Sequence, residues 1–205
     1  RPEQILSSLP QAVQIMLDQA DCGPAVISIS QDVQGEGFDY PEVFFEEKIH
    51  AIRRVYPDQN QLKNAAEVLK ISKQPIIIAG GGVLYSEAEK ELSEFATKHN
   101  IPVTPTVMGL GCMVKDDPYN IGPIGCLGVG SSNSLSKDTD VALAIGTKLG
   151  DFTTGSWSNF HNPDFRLVSI NAARFDVTKH RATPVVSDAK IGLTELSKIL
   201  GDWQA

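Results

Sequence analysis

Glycines gather at positions where the sequence predicts the ends of strands. Gly80, Gly81 and Gly82 directly follow an apolar run and lead toward a predicted helix. Glycine allows backbone amides to approach a phosphate closely, and the start of a helix adds partial positive charge. Tyr85 takes the place of the third glycine of a GxGxxG pattern. The triplet is therefore equally compatible with a phosphate site and with a tight strand–helix turn.

Polar or glycine residues follow three further predicted strands. Gly109 and Gly111 lie past one strand, Gly146 ends the next, and Asn171 ends the one after. Because open parallel sheets bind ligands at the carboxyl ends of their strands, these residues predict a cleft for a phosphate-bearing cofactor. A loop-rich edge without a ligand is the alternative. The predicted cofactor-binding residues are Gly80, Gly81, Gly82, Gly109, Gly111, Gly146 and Asn171.

Side-chain patterns typical of catalysis or metal binding are lacking. None of the four histidines, His50, His99, His161 and His180, stands at ligand spacing with another histidine, a cysteine or an acid. The serine pair 131–132 lacks the context of a nucleophile elbow. We therefore predict no catalytic residue and no metal site in this chain.

Alternating helices and strands after Gln59 predict the elements that position these residues. Short apolar runs are typical of parallel strands covered on both faces. We expect an α/β fold, a Rossmann-like parallel sheet sandwiched by helices with right-handed crossovers. The predicted strands are 75–79, 101–106, 140–145, 166–170 and 184–186.

Local signals predict where several elements begin and end. Apolar spacing indicates a helix over 1–20, in which Pro10 is expected to start a second helix at its first turn. Residues 25–30 are predicted to form a strand. The stretch 86–89 reads as a capping box, and Asp188 is expected to cap the last helix.

Composition restricts the classes of partner. The 205 residues carry a net charge of −7, which argues against nucleic-acid and anionic-membrane surfaces. The three cysteines, Cys22, Cys112 and Cys126, form no CxxC pair, which favours reduced thiols. No apolar run is long enough to span a bilayer. We expect a cytoplasmic protein, and the absence of an initiator methionine before Arg1 suggests a processed or truncated chain.

Several stretches resemble the middle domain of thiamine-diphosphate enzymes, a group that includes acetohydroxyacid synthase and pyruvate oxidase. The stretches are 100–111, 122–130 and 144–149. Residues 1–34 resemble the last helix and strand of the preceding pyrimidine-binding domain. Glycines and prolines interrupt the stretch 35–58, which indicates a linker that packs by its aromatic residues. A central nucleotide-fold domain is expected over 59–201.

A narrower resemblance concerns the stretches 31–34, 38–41 and 44–45. They are similar to the members that hydrolyse a carbon–carbon bond of a cyclic 1,2-diketone, trihydroxycyclohexanedione, in myo-inositol catabolism. The resemblance implies thiamine diphosphate and Mg²⁺ in the parent enzyme, held outside this segment. Gly150-Asp151-Phe152 is not the Gly-Asp-Gly motif that holds them, and the activating glutamate is expected upstream of Arg1.

Some relatives bind FAD in the middle domain, and this suggests an alternative. Lys148 stands where the flavin enzymes carry arginine, and Asn171 stands where they place an acid. The alternative is an FAD- or ADP-binding domain of an acetolactate-synthase-like enzyme. We expect instead a non-catalytic scaffold, which connects the remaining pyrimidine- and diphosphate-binding domains and contributes contacts to a homo-oligomer.

Overall fold

The computed structural model describes all residues, Arg1–Ala205. They form two compact units, Arg1–Arg53 and Arg54–Ala205. The predicted division into 1–34, 35–58 and 59–201 remains a prediction, since compactness alone does not test where the parent's domains begin.

Short helices and stretches without regular secondary structure make up the first unit. Helix α1 runs over Ile5–Met16 after a 3₁₀ turn at Pro2–Gln4, and helix α2 is the short Gln31–Gln34. The expectation for Pro10 is wrong, because the proline lies inside α1 and starts no second helix. Pro10 lacks one backbone donor, and the hydrogen bonds of its neighbours continue the helix around that gap.

The predicted strand over residues 25–30 is also wrong, because no residue of that stretch is in a strand. A strand requires a neighbour to accept and donate its backbone hydrogen bonds, and this unit contains no other strand. Further along, the aromatic residues of the predicted linker pack on one another. The rings of Phe38 and Tyr40 lie 4.9 Å apart, and those of Phe44 and Phe45 lie 5.4 Å apart.

The second unit is a five-stranded, fully parallel sheet with strand order β2-β1-β3-β4-β5. The strands are β1 Pro75–Ala79, β2 Val103–Pro105, β3 Val141–Ile145, β4 Arg166–Asn171 and β5 Thr183–Val186. The helices are α3 Gln59–Lys70, α4 Gly81–Tyr85, α5 Glu89–His99, α6 Gly130–Asp138, α7 Asp151–Thr154, α8 Arg174–Val177 and α9 Ala189–Leu200. The predicted fold class is confirmed.

The three central strands, β1, β3 and β4, present alternate side chains to two separate cores. Ile77 and Leu143 face a core that includes residues of α3, α5 and α9. Ile76 and Ile78 face a smaller core that includes Ile124, with Trp157, Phe160 and Phe165 packed against it. Because both faces of the sheet are covered, these strands are continuous apolar runs. A strand with one face exposed to water would alternate apolar and polar residues.

Asp140 fixes the relative position of β1 and β3 just before both strands begin. Its carboxylate accepts hydrogen bonds from the Ser72 hydroxyl and from the amides of Lys73 (2.6 Å) and Gln74 (3.0 Å). Burial alone would raise the pKa of Asp140, but these hydrogen bonds lower it overall. The turn before β1 is thereby tied to the start of β3.

The two predicted helix caps have different outcomes. Asp188 caps α9 as predicted, since its Oδ1 accepts the amide hydrogen of Ile191 at 3.1 Å. The capping box over 86–89 is wrong, because α5 is capped by Ala88 without a side-chain bond. The hydroxyl of Ser86 instead donates to Oδ2 of Asp188 at 2.8 Å. An ionised carboxylate is a strong acceptor, so the hydroxyl of Ser86 is held in a charge-assisted hydrogen bond.

Candidate functional site at the carboxyl edge of the sheet

The strand order reverses between β1 and β3, and the predicted glycines meet there. The chain leaves β1 toward β2 on one side and later returns as β3 on the other. In open parallel sheets, the crevice at this switch point is the usual ligand site. Here Gly80 and Gly82 of the β1 turn lie directly against Gly146 of the β3 turn.

Backbone hydrogen bonds close this switch point. The amide of Gly80 donates to the carbonyl of Ile145 at 2.8 Å, and the amide of Gly82 donates to the carbonyl of Gly146 at 2.9 Å. The amide of Gly146 in turn donates to Ile170 at 2.9 Å. A phosphate-binding loop requires amides that point at the ligand. The amides of these three glycines instead donate to carbonyl oxygens of the protein itself.

Steric packing between the two turns explains the choice of glycine. A Cβ on Gly82 would lie 2.6 Å from the Cα of Gly146, and a Cβ on Gly80 would overlap the Gly146 carbonyl. Gly146 also has a φ of +57°, in the left-handed region that side chains disfavour. The glycines therefore permit the close approach of two backbone turns.

The remaining predicted glycines differ from one another. Gly109 packs against the end of β1, where a Cβ would overlap the carbonyl of Ala79, and its amide donates to Thr106. Gly81 is buried, and a Cβ there would approach the Met108 carbonyl at 3.1 Å. Gly111 is exposed, has a φ of +98°, and has open space around its Cα. Among the predicted glycines, only Gly111 combines open space with a backbone conformation that favours glycine.

Polar side chains at the carboxyl edge of the sheet form hydrogen bonds and ion pairs with its turns. The Asn171 amide nitrogen donates to the carbonyl of Thr147 at 3.3 Å, and its oxygen accepts from the amide of Ala173 at 3.0 Å. The ammonium of Lys148 lies 3.9 Å from Oδ2 of Asp176. Asn171 thus bridges the ends of β3 and β4, in addition to any ligand role.

The other polar residues singled out in the sequence are dispersed. His99 is buried, whereas His50, His161 and His180 are exposed. The Ser132 hydroxyl donates to the carbonyl of Pro123 at 2.5 Å, so it serves the local loop. No three His, Cys, Asp or Glu side chains are placed to hold a metal ion.

One buried polar cluster was not predicted. Oδ2 of Asp188 accepts both the Arg54 guanidinium at 2.9 Å and the Ser86 hydroxyl at 2.8 Å, and Arg54 also donates to the Ser86 carbonyl. The sequence showed Asp188 only as a helix cap, because Arg54 and Ser86 are far from it along the chain. The cluster ties the start of the second unit to α4 and α9.

Comparison with known proteins assigns the fold to a family. The model described as "Thiamine pyrophosphate enzyme, central domain" matches residues 62–196. The chain belongs to this family. It carries the central domain, and the matched range contains all five strands together with the glycines of the switch point.

Two curated relatives of this chain carry the same name. The central domain and its flanks are 43% identical over 200 residues to the 3D-(3,5/4)-trihydroxycyclohexane-1,2-dione hydrolase of Clostridium botulinum (strain Alaska E43 / Type E3). Identity to the protein of that name from Halalkalibacterium halodurans is 40% over 205 residues. The alignments cover 98% and 100% of this chain but only 31% and 32% of the relatives. The chain thus spans about a third of their length.

Solved structures show the same fold. Benzoylformate decarboxylase from Polynucleobacter necessarius superposes with a TM-score of 0.76 and 21% identity, covering 100% of this chain and 39% of that one. A putative thiamin diphosphate-dependent enzyme from Mycobacterium smegmatis also gives a TM-score of 0.76, at 20% identity, covering 99% of this chain and 38% of that one.

None of the helices combines the length and the apolar character that a membrane-spanning helix requires.

Proposed function

We propose that this chain is the scaffold segment of a thiamine-diphosphate-dependent hydrolase that cleaves a carbon–carbon bond of trihydroxycyclohexanedione in myo-inositol catabolism. The support is identity of about 40% to relatives bearing that name, sustained across nearly the whole chain. Since the chain spans about a third of those relatives, the activity belongs to the proposal and to the longer protein.

The closed switch point is the observation that carries the scaffold role. Where a nucleotide-fold domain would hold its cofactor, the turns after β1 and β3 are hydrogen-bonded to each other through Gly80, Gly82 and Gly146. Backbone groups bound in this way stiffen the edge of the sheet and present few free donors. Such an edge is suited to holding neighbouring domains in a fixed orientation.

The cofactor is assigned to the rest of the longer protein. The described residues provide no cluster of metal ligands, so thiamine diphosphate and Mg²⁺ fit poorly on this chain alone. We propose that the remaining pyrimidine- and diphosphate-binding domains hold them, in a cytoplasmic homo-oligomer whose subunit contacts this domain helps to form.

An assay of the whole reading frame tests the proposal. The purified product is expected to hydrolyse trihydroxycyclohexanedione only with thiamine diphosphate and Mg²⁺, while the 205-residue chain alone is inactive. The downstream sequence is expected to carry Gly-Asp-Gly followed by paired asparagines. Turnover by the isolated chain without thiamine diphosphate would contradict the scaffold role. Formation of acetolactate from pyruvate by the whole product would favour the acetolactate-synthase-like alternative.

A further inference from the structure

A cavity lies at the opposite edge of the sheet from the glycine turns, beside the amino ends of β4 and β5. Its volume is about 590 Å³, within the range of sites that hold small molecules. The residues that matter for its chemistry are Trp157, Phe165, Arg166, His180, Arg181 and Thr183. The proposed scaffold role does not use this cavity.

Aromatic rings form one part of the cavity lining. The rings of Trp157 and His180 have centroids 4.4 Å apart and planes inclined at 54°. Phe165 also lines the cavity and stacks on Phe160 at 4.6 Å, which fixes the position of its ring. Flat, apolar surfaces of this kind favour contact with another flat ring.

Two segments in an unfavourable backbone conformation bring Trp157 and His180 together. Ser156 and Trp157 have φ values of +53° and +67°, and His180 and Arg181 have values of +59° and +58°. Residues with a side chain rarely adopt this left-handed region, and such residues cluster at functional sites. Four of the seven non-glycine residues with positive φ belong to these two segments, which meet at this cavity.

The charge of the lining is positive in an acidic protein. Arg166 and Arg181 line the cavity and no carboxylate does. Neither guanidinium is in a salt bridge, although the chain has 25 acidic and 18 basic residues. A guanidinium matches the geometry of a carboxylate or a phosphate, with which it makes paired hydrogen bonds.

We propose that this cavity binds a small molecule consisting of a flat ring that bears a carboxylate or phosphate group. The ring contacts Trp157 and Phe165, and the anionic group pairs with Arg166 and Arg181. Binding requires both the ring and the anionic group. The arginines are exposed to water, so pairing with an isolated anion contributes little binding free energy.

Nuclear magnetic resonance of the two tryptophan indole groups tests the proposal. Trp203 lies in the C-terminal segment against His99, so its indole signal is an internal reference, assigned with Trp157→Phe. The probes are benzoate and AMP, with benzamide, adenosine and inorganic phosphate as partial analogues. Benzoate, AMP or both are expected to shift the Trp157 signal alone, with a Kd of about 1 mM or tighter. Which of the two binds distinguishes a carboxylate from a phosphate ligand.

Matched variants locate the binding. Arg166→Gln and Arg181→Gln are each expected to weaken binding about tenfold, whereas Arg174→Gln, at an exposed position after β4, leaves it unchanged. If a glutamine variant melts at a lower temperature, Arg181→Lys serves as a second test. Lysine keeps the positive charge, so this variant is expected to retain binding. Three results would overturn the proposal: no shift with either probe, equal binding of the neutral or ring-free analogues, or unchanged affinity in both glutamine variants.

Discussion

The Nη1 atom of Arg54 lies 2.9 Å from Oδ2 of Asp188, a carboxylate that is fully enclosed. The same oxygen accepts the hydroxyl of Ser86, and the other oxygen caps α9 through Ile191. One carboxylate therefore joins three segments that are distant in sequence. The amide of Asp188 extends the cluster by donating to the carbonyl of Val55 at 2.9 Å.

Replacement of this carboxylate is expected to destabilise the domain strongly. Asp188→Ala removes the helix cap and leaves the guanidinium without its buried partner, so the free energy of unfolding is expected to fall by about 3 kcal/mol. Urea denaturation measures the change. The matched control is Glu87→Gln, whose exposed carboxylate lies 4.0 Å from Arg54 and is expected to contribute less than about 0.5 kcal/mol. Equal effects of the two variants would show that the cluster is not a structural tie.

The closed switch point predicts that substitution by alanine costs much more stability at Gly146 than at Gly130. Gly146→Ala places a Cβ about 2.6 Å from Gly82 at a positive φ, and this is expected to cost at least about 3 kcal/mol of stability. Gly130 opens α6 with nothing within 4 Å of a Cβ, so Gly130→Ala is expected to be neutral or slightly stabilising. Thermal melting of both variants is the measurement. A stable Gly146→Ala variant would mean that the two turns are able to separate.

Much of this fold was predictable because its signals are local. The apolar run 75–79 coincides with β1, and burial of Leu92 and Phe95 in α5 follows from helical spacing. The strand predicted over 101–106 is shorter, Val103–Pro105, because Thr106 already caps the next turn through Gly109.

Two of the failures, at residue 86 and at residues 25–30, share a non-local cause. The hydroxyl of Ser86 bonds to Asp188 instead of capping α5, and residues 25–30 contain strand-forming side chains but no partner strand. Cofactor binding at Gly80, Gly81 and Gly82 stays a prediction. Two of their amides donate to the carbonyls of Ile145 and Gly146, acceptors that lie far along the chain and that local sequence does not reveal.

Buried His99 predicts how stability depends on pH. Burial lowers the pKa of His99 below its ordinary 6.5, although a hydrogen bond to the Trp203 carbonyl opposes the shift. The unfolded chain therefore binds the proton more readily, so the stabilisation is complete above pH 6.5 and is lost as the pH falls through the folded pKa. Between about pH 7.5 and about pH 5.5, the free energy of unfolding is therefore expected to fall because of this group.

A histidine variant isolates that contribution. His99→Gln is expected to reduce the pH dependence of urea denaturation, whereas His161→Gln, at an exposed site, leaves it unchanged. An identical slope in the natural chain and in His99→Gln would rule out His99 as its source.

The three thiols are expected to differ in reactivity. Burial raises the pKa of Cys112 to about 11, whereas Cys22 and Cys126 are exposed. Because the thiolate is the reactive form, a thiol reagent at about pH 8 is expected to modify two cysteines in the folded chain and all three in urea. Mass spectrometry counts the modified sites. Rapid labelling of Cys112 in the folded chain would show that the core around it opens readily.

Hydrogen exchange at Gly80, Gly82 and Gly146 tests the scaffold role most directly. The amides of Gly80 and Gly82 donate to backbone acceptors across the switch point, and the amide of Gly146 donates to Ile170 of β4, so all three are expected to exchange slowly. Their rates are expected to be the same with and without FAD or ADP. Fast exchange that becomes slow only when FAD or ADP is added would contradict the account, because the amides would then be donors kept for a cofactor.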